Sequence, residues 1–219
     1  MSHNPQRGFT LWELLVSLLV VGILLGFGVP SFLEFQRNNA ITAAANDLVS
    51  GVMAARSQAV QLQVPVTLCA SPDPTAATPV CSPSGAGSNG GFILWIDENG
   101  NTDANGVPIL TDATDGNIAV DAGEVVLLAR EAPGGTLNVF ADSGYVAFGP
   151  NGRRRNVGGA GPGFSARNVL YCDERGNRAT SGDVSTARVV RLEATGRGQV
   201  LRLVDEITPV VAALGAACP

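Results

Sequence analysis

The residues of this chain that are able to do chemistry are few, and they are unevenly placed. Glu13 stands inside the stretch "QRGFTLWELLVSLLVVGILL", and from Leu14 to Leu33 the only polar side chains are Ser17 and Ser31. A carboxylate at the middle of a bilayer costs about 2.5–3.5 kcal/mol, so Glu13 needs a partner. Four cysteines, Cys69, Cys81, Cys172 and Cys218, lie downstream, without a CxxC pair and with His3 as the only histidine. That set fits no zinc template. In an exported domain it reads as two disulfides, with three possible pairings; the favoured one joins Cys69 to Cys81 and Cys172 to Cys218. Asp97, Asn99, Asn101 and Asp103 alternate like a calcium loop, but Thr102 and Pro108 stand where such a loop needs Gly and Glu. Turn chemistry is the better account. "GSNGG" and "GGAGPGF" are neither a phosphate loop nor a dinucleotide fingerprint, and no serine or cysteine has a base in prospect. The expectation is a protein that is not an enzyme, with no cofactor and no metal.

The charge is segregated. Asp97, Glu98, Asp103, Asp112, Asp115, Asp121, Glu124 and Glu131 make the middle acidic. The C-terminal third carries Arg153, Arg154, Arg155, Arg167, Arg175, Arg178, Arg188, Arg191, Arg197 and Arg202, and there is no lysine anywhere. A net charge of −5 argues against a generic nucleic-acid binder. Arg197 lies between the strand-like runs "ARVVRLEA" and "QVLRLV", which places it at a hairpin tip.

These residues need elements to hold them. The apolar run is long enough to span a hydrocarbon core. Gly22, Gly26, Gly28 and Pro30 loosen or kink it. Helical spacing resumes with Ile41, Ala44, Leu48, Val52, Ala55, Ala59 and Leu62. One helix from about Thr10 to Gln63, about 80 Å long at 1.5 Å per residue, is expected to end at Val64-Pro65-Val66. Strands are expected at Val64–Cys69, Phe92–Ile96, Val125–Ala129, Thr136–Phe140, Tyr145–Phe148, Asn168–Cys172, Ala187–Leu192 and Gln199–Val204. The N-terminal run is too long for the core of an ordinary signal peptide, and a plain single-span anchor leaves Glu13 unexplained. A third arrangement is a cut ahead of the run, since "MSHNPQRG" is short and polar and ends in Gly8.

That junction, Gly8 followed by "FTLWELL", resembles the leader of type IV pilins and type II secretion pseudopilins, with Trp12 in place of the usual isoleucine or valine. The runs "AARSQAV", "PVTLC", "GFILWIDENGN", "DAGEVVLL" and "YVAFGPNGR" are similar to the GspH/FimT/FimU group of minor pilins and pseudopilins. The resemblance implies an α+β fold: a long N-terminal helix, membrane-spanning then amphipathic, packed on a β-sandwich-like head. Its parts would be a leader at 1–8, a membrane or filament-core helix at 9–33, an amphipathic helix at 34–63 and a β-rich head at 64–219. It implies cleavage by prepilin peptidase between Gly8 and Phe9 and methylation of Phe9. Glu13 would face the N-terminal amine of a neighbouring pilin or pseudopilin subunit, a tolerable burial because it is paired. The implied setting is the bacterial inner membrane, crossed once, with an assembly platform and membrane lipid as partners and the head in the periplasm. Some relatives bind DNA through a Gly-Arg-x-Arg motif; here that stretch reads Gly196-Arg197-Gly198-Gln199. Arg153, Arg154, Arg155 and Arg202 are the further candidates for DNA contact. The alternative to a structural or priming subunit is therefore a minor pilin for DNA uptake.

Overall fold

The computed structural model describes residues 9–82, 90–97, 120, 124–132, 137–155, 166–193, 195–216 and 218. The chain divides into two compact units, Met1–Asn39 and Ala40–Pro219. One helix, α1 (Leu11–Leu62), supplies the described part of the first and opens the second.

The helix starts at a threonine cap. The Glu13 N–H donates to Thr10 Oγ1 at 3.3 Å, and the Leu14 N–H donates to the Thr10 carbonyl at 3.2 Å. Thr10-Leu11-Trp12-Glu13 has the spacing of a capping box, a start signal that the hydropathy reading passed over. In the first unit the large apolar side chains, from Leu11 through Phe35, are all exposed. Among the described residues this is the one helix long and apolar enough to cross a membrane. It continues unbroken through Pro30. It stops where Gln63 takes a left-handed φ of 59°, and Pro65, which cannot donate a backbone bond, follows.

The second unit is built on the other half of α1. Ile41, Ala44, Ala45, Leu48, Val52, Ala55 and Ala59 are all buried, the expected stripe with one correction. Leu62 is 45% exposed, because the chain turns away at the helix end.

Nine strands follow: β1 (Val66–Ala70), β2 (Phe92–Ile96), β3 (Val125–Arg130), β4 (Asn138–Ala141), β5 (Tyr145–Phe148), β6 (Arg154–Arg155), β7 (Asn168–Cys172), β8 (Val184–Leu192) and β9 (Gly198–Leu203). They form two antiparallel sheets, ordered β3-β2-β1-β5-β6 and β4-β7-β8-β9. Alternation gives each sheet two faces. Val66, Leu68, Phe92, Leu94, Val146 and Phe148 of the first sheet and Val139, Val169, Tyr171, Val190 and Leu192 of the second share one core with the α1 stripe. The helix is thus the third component of the core between the sheets. The reverse face of the first sheet carries Cys69, Ile93, Trp95, Tyr145 and Ala147, with Cys81 packed against them.

Several boundaries differ from expectation. The first strand begins at Val66, since Pro65 cannot join a ladder. Thr136 lies outside the described residues. The strand expected from Ala187 starts at Val184, past a bulge between Val184 and Val189. The strand expected to reach Val204 ends at Leu203, and Val204 opens a helix that was not expected, α2 (Val204–Leu214). Ile207, Val210, Val211 and Leu214 recur at helical spacing and cover the outer face of the second sheet, against Leu170, Cys172, Ala187, Val189 and Leu201. Asp205 and Glu206 occupy its first turn, where the helix dipole favours them, and Gly215 caps it with a φ of 56°.

Candidate functional site

Glu13 sits in the first turn of α1 with exposed apolar neighbours, Trp12 at 74% and Leu14 at 55%. The Ser17 hydroxyl donates to the Glu13 carbonyl at 2.7 Å, and Thr10 accepts from its backbone N–H, so the main chain is satisfied. The carboxylate makes no hydrogen bond or ion pair with a described residue. Phe9 is described and exposed; Gly8 and the rest of 1–8 lie outside the described residues. What the helix start offers is therefore a carboxylate set in an apolar surface, one turn from Phe9.

The arginines of the second unit do different jobs. Arg197 is exposed in the tight β8–β9 connection, where the Glu193 N–H donates to the Arg197 carbonyl at 2.9 Å and the Gly196 N–H to the Glu193 carbonyl at 2.8 Å. Gly196 holds a φ of 78°, and a Cβ there would lie 2.5 Å from Phe148 Cε1, so only glycine fits. Arg153 is exposed too, in a turn where the Asn151 side chain accepts from its N–H at 2.9 Å.

Arg154 points elsewhere. Its register opposite Phe148 carries the guanidinium to the second sheet. Nη1 donates to the carbonyls of Leu192 at 2.8 Å and Glu193 at 3.4 Å, and Nη2 to that of Ala166 at 2.6 Å. Partial burial lowers its pKa, with Asp142 acting in the opposite sense. Arg154 ties two sheets together and is corrected as a candidate for DNA. The Arg155 side chain lies outside the described residues. Arg202 is exposed but sits near the other end of β9, beside Arg188 rather than Arg197. Burial, first, and the nearby charges of Arg202 and Arg175 lower the pKa of Arg188. Arg175 is committed to Asp173, Nη2 to Oδ2 at 2.7 Å.

The two disulfides are Cys69–Cys81 and Cys172–Cys218, and among the described residues no cysteine is free. The first pins the segment after β1 to the reverse face of the first sheet; the second pins the tail after α2 to β7. Asp97 is fully buried and accepts from the Thr67 hydroxyl at 2.9 Å; Asn99, Asn101 and Asp103 lie outside the described residues. No group of three or more His, Cys, Asp or Glu among the described residues is placed to hold a metal. One helical cation was missed in sequence. Arg56 of α1 faces the Arg197 turn, and nothing in a single helical arginine marks it out.

Comparison with known proteins gives the helix start and the head a common setting. Residues 3–29 match the prokaryotic N-terminal methylation motif, and residues 44–196 match the family described as type II transport protein GspH. Fimbrial protein Q of Moraxella bovis is 28% identical over 155 residues, covering 68% of this chain and 98% of that protein. A crystal structure of the type IV minor pilin FimU of Pseudomonas aeruginosa in space group P21 aligns with a TM-score of 0.42. It is 18% identical and covers 76% of this chain and 92% of FimU. A second crystal form, in P65, gives a TM-score of 0.38 at 17% identity, covering 73% of this chain and 91% of FimU. The GspH match spans well over half of the sequence and follows a methylation motif that contains Gly8, Phe9 and Glu13, so this chain belongs to the GspH family of minor pilins and pseudopilins.

Proposed function

We propose that the chain is a processed, membrane-anchored minor subunit of a type IV pilus or type II secretion filament. Prepilin peptidase cuts between Gly8 and Phe9, and Phe9 becomes the methylated N-terminus. The helix anchors the subunit in the inner membrane with the head in the periplasm, until an assembly platform draws it into the filament. There Glu13 pairs with the N-terminal amine of a neighbouring subunit and sets its register. The observation that carries this reading is Glu13 itself. It is a carboxylate on an otherwise apolar helix, with no partner among the described residues, inside the matched methylation motif. A charge so placed is costly alone and tolerable in a pair.

Two measurements test it. Mass spectrometry of the membrane form should find Phe9 N-terminal and one methyl group heavier; an intact Met1 refutes the processing step. Glu13→Ala should insert into membranes as well as the parent and enter filaments poorly. Normal entry refutes the pairing role. The DNA-uptake reading keeps Arg153 and Arg197, which are exposed, but loses Arg154 to the sheet contact, so it is the weaker of the two.

A further inference from the structure

Where β8 turns into β9, a groove opens between that connection and the last turns of α1. Its floor is apolar yet open to solvent: Met53 is 57% exposed and Val60 44%. Its rims carry Arg56 and Arg197. A Cβ on Gly196 would lie 3.5 Å from Arg56 Cδ, and one on Gly152 would lie 3.4 Å from Arg56 Nε and 2.9 Å from Val60 Cγ2. The turns bearing Arg197 and Arg153 therefore both close on Arg56. All three arginines are exposed, and none has an ion pair with a described residue.

Gathered cations repel one another, and exposed methionine and valine gain by burial. An occupant that is both apolar and anionic answers both. The floor offers no aromatic ring for a base to stack on, and a chain of net charge −5 attracts a polyanion weakly from a distance. A peptide with apolar residues followed by carboxylates uses floor and rims together. This chain contains one. Between Glu98 and Glu124 there is no basic residue, and Val107-Pro108-Ile109-Leu110-Thr111-Asp112-Ala113-Thr114-Asp115 has that order.

That segment lies outside the described residues, but its attachment points are known. It leaves from β2 and returns to β3, at one edge of the β3-β2-β1-β5-β6 sheet. The groove lies by the turn that joins β5 to β6, at the other edge. Donor and acceptor surfaces on opposite edges make a head-to-tail contact, which propagates from copy to copy.

We infer that the groove formed by Met53, Arg56, Val60 and Arg197 receives the Val107–Asp115 segment of a second copy of this chain. Ile109 and Leu110 cover the floor, and Asp112 and Asp115 meet the arginines. The inference deepens the assembly reading above and rests on it for copies to meet.

The test uses full-length protein in membranes, with p-benzoylphenylalanine at position 53 and an equal mixture of 14N- and 15N-labelled chains. Ultraviolet light should join position 53 to a peptide containing residues 107–115, in pairs of mixed isotope. Same-isotope pairs alone would mean that the segment serves its own chain. A cross-link to another part of the protein, or to added duplex DNA only, would assign the groove to a different occupant. Each of these results overturns the inference, as does the absence of any cross-link.

Charge reversal provides the second arm. Arg56→Glu with Arg197→Glu, or Asp112→Arg with Asp115→Arg, should each cut the cross-link about tenfold, as attraction at the rim becomes repulsion. Mixing the two variants should restore it, because each reversed groove then meets a reversed segment; failure to restore it overturns the inference. The two readings fail separately: normal filament entry of Glu13→Ala refutes the helix pair, whereas the missing inter-copy cross-link refutes the groove.

Discussion

Gly51 is the place where α1 lies hardest against the first sheet, and replacing it with alanine measures how tightly the helix is seated. A Cβ there would stand 2.6 Å from Phe92 Cε2, 2.7 Å from Phe92 Cζ and 3.0 Å from Leu68 Cδ1. Carbon atoms settle near 3.5–4.0 Å, so the ring must retreat by about 1 Å. Phe92 is only 2% exposed and packs in the core that the helix shares with both sheets, so it has nowhere open to go. Overpacking of this kind costs about 1–3 kcal/mol, while alanine in place of glycine within a helix gains about 1 kcal/mol. With a buried ring as the obstacle, the first effect wins. Gly51→Ala should destabilise the head by about 1–2 kcal/mol and lower its Tm by roughly 2–8 °C. The assay is thermal unfolding of the full chain in detergent, followed by near-ultraviolet circular dichroism of the buried Trp95. Phe92→Leu removes the obstructing ring atoms, so in that background Gly51→Ala should be neutral or stabilising. A Gly51→Ala chain as stable as the parent, or effects that simply add across the two substitutions, would refute the reasoning.

Arg154→Ala leaves the carbonyls of Leu192, Glu193 and Ala166 without their charged donor; urea unfolding should show a loss of about 2 kcal/mol, only partly recovered by Arg154→Lys. Burial, helped by nearby Asp47, raises the Tyr171 hydroxyl above its ordinary value near 10, so the unfolded chain releases that proton first. Stability should therefore hold below pH 10 and fall above it by up to about 1.4 kcal/mol per pH unit, a slope that Tyr171→Phe abolishes in urea titrations at pH 9–11. Replacing Cys172 and Cys218 by serine opens a loop with a sequence separation of 46 and should cost about 4 kcal/mol in the chain-entropy model. Hydrogen exchange should then rise first in α2.

Regular patterns were the legible part of the sequence. The stripe from Ile41 to Ala59 announces a buried helical face, and "FILWI", "YVAF" and "NVLYC" are apolar enough to be strands anywhere. The β8–β9 tip was legible because Gly196-Arg197 interrupts two such runs. What was not legible depended on register or on contact between distant segments. Arg153, Arg154 and Arg155 are equivalent as a string. Only the pairing of Phe148 with Arg154 aims the second into the gap between sheets and leaves the first outside. β6, two residues long, is too short for any periodicity. Nor does the sequence around Gly51 say that a phenylalanine ring will arrive there from residue 92.

α2 is a different kind of miss, since its signal was present. Ile207, Val210, Val211 and Leu214 keep helical spacing and Gly215 sits where a helix ends, but Pro209 lies in the middle and a strand runs directly into its start. The Pro209 ring removes one backbone donor, and the buried pair Ile207 and Val210 offsets that loss by closing the outer face of the second sheet. Tertiary packing overrode a local breaker. Glu13 is the converse case. It was visible at once from its cost, and the fold satisfies its backbone while leaving its carboxylate without a partner among the described residues. Within a bilayer that leaves a cost of about 2.5–3.5 kcal/mol unrelieved by any described group. The relief proposed here comes from another chain, and a residue whose energy depends on a neighbour is a residue of assembly.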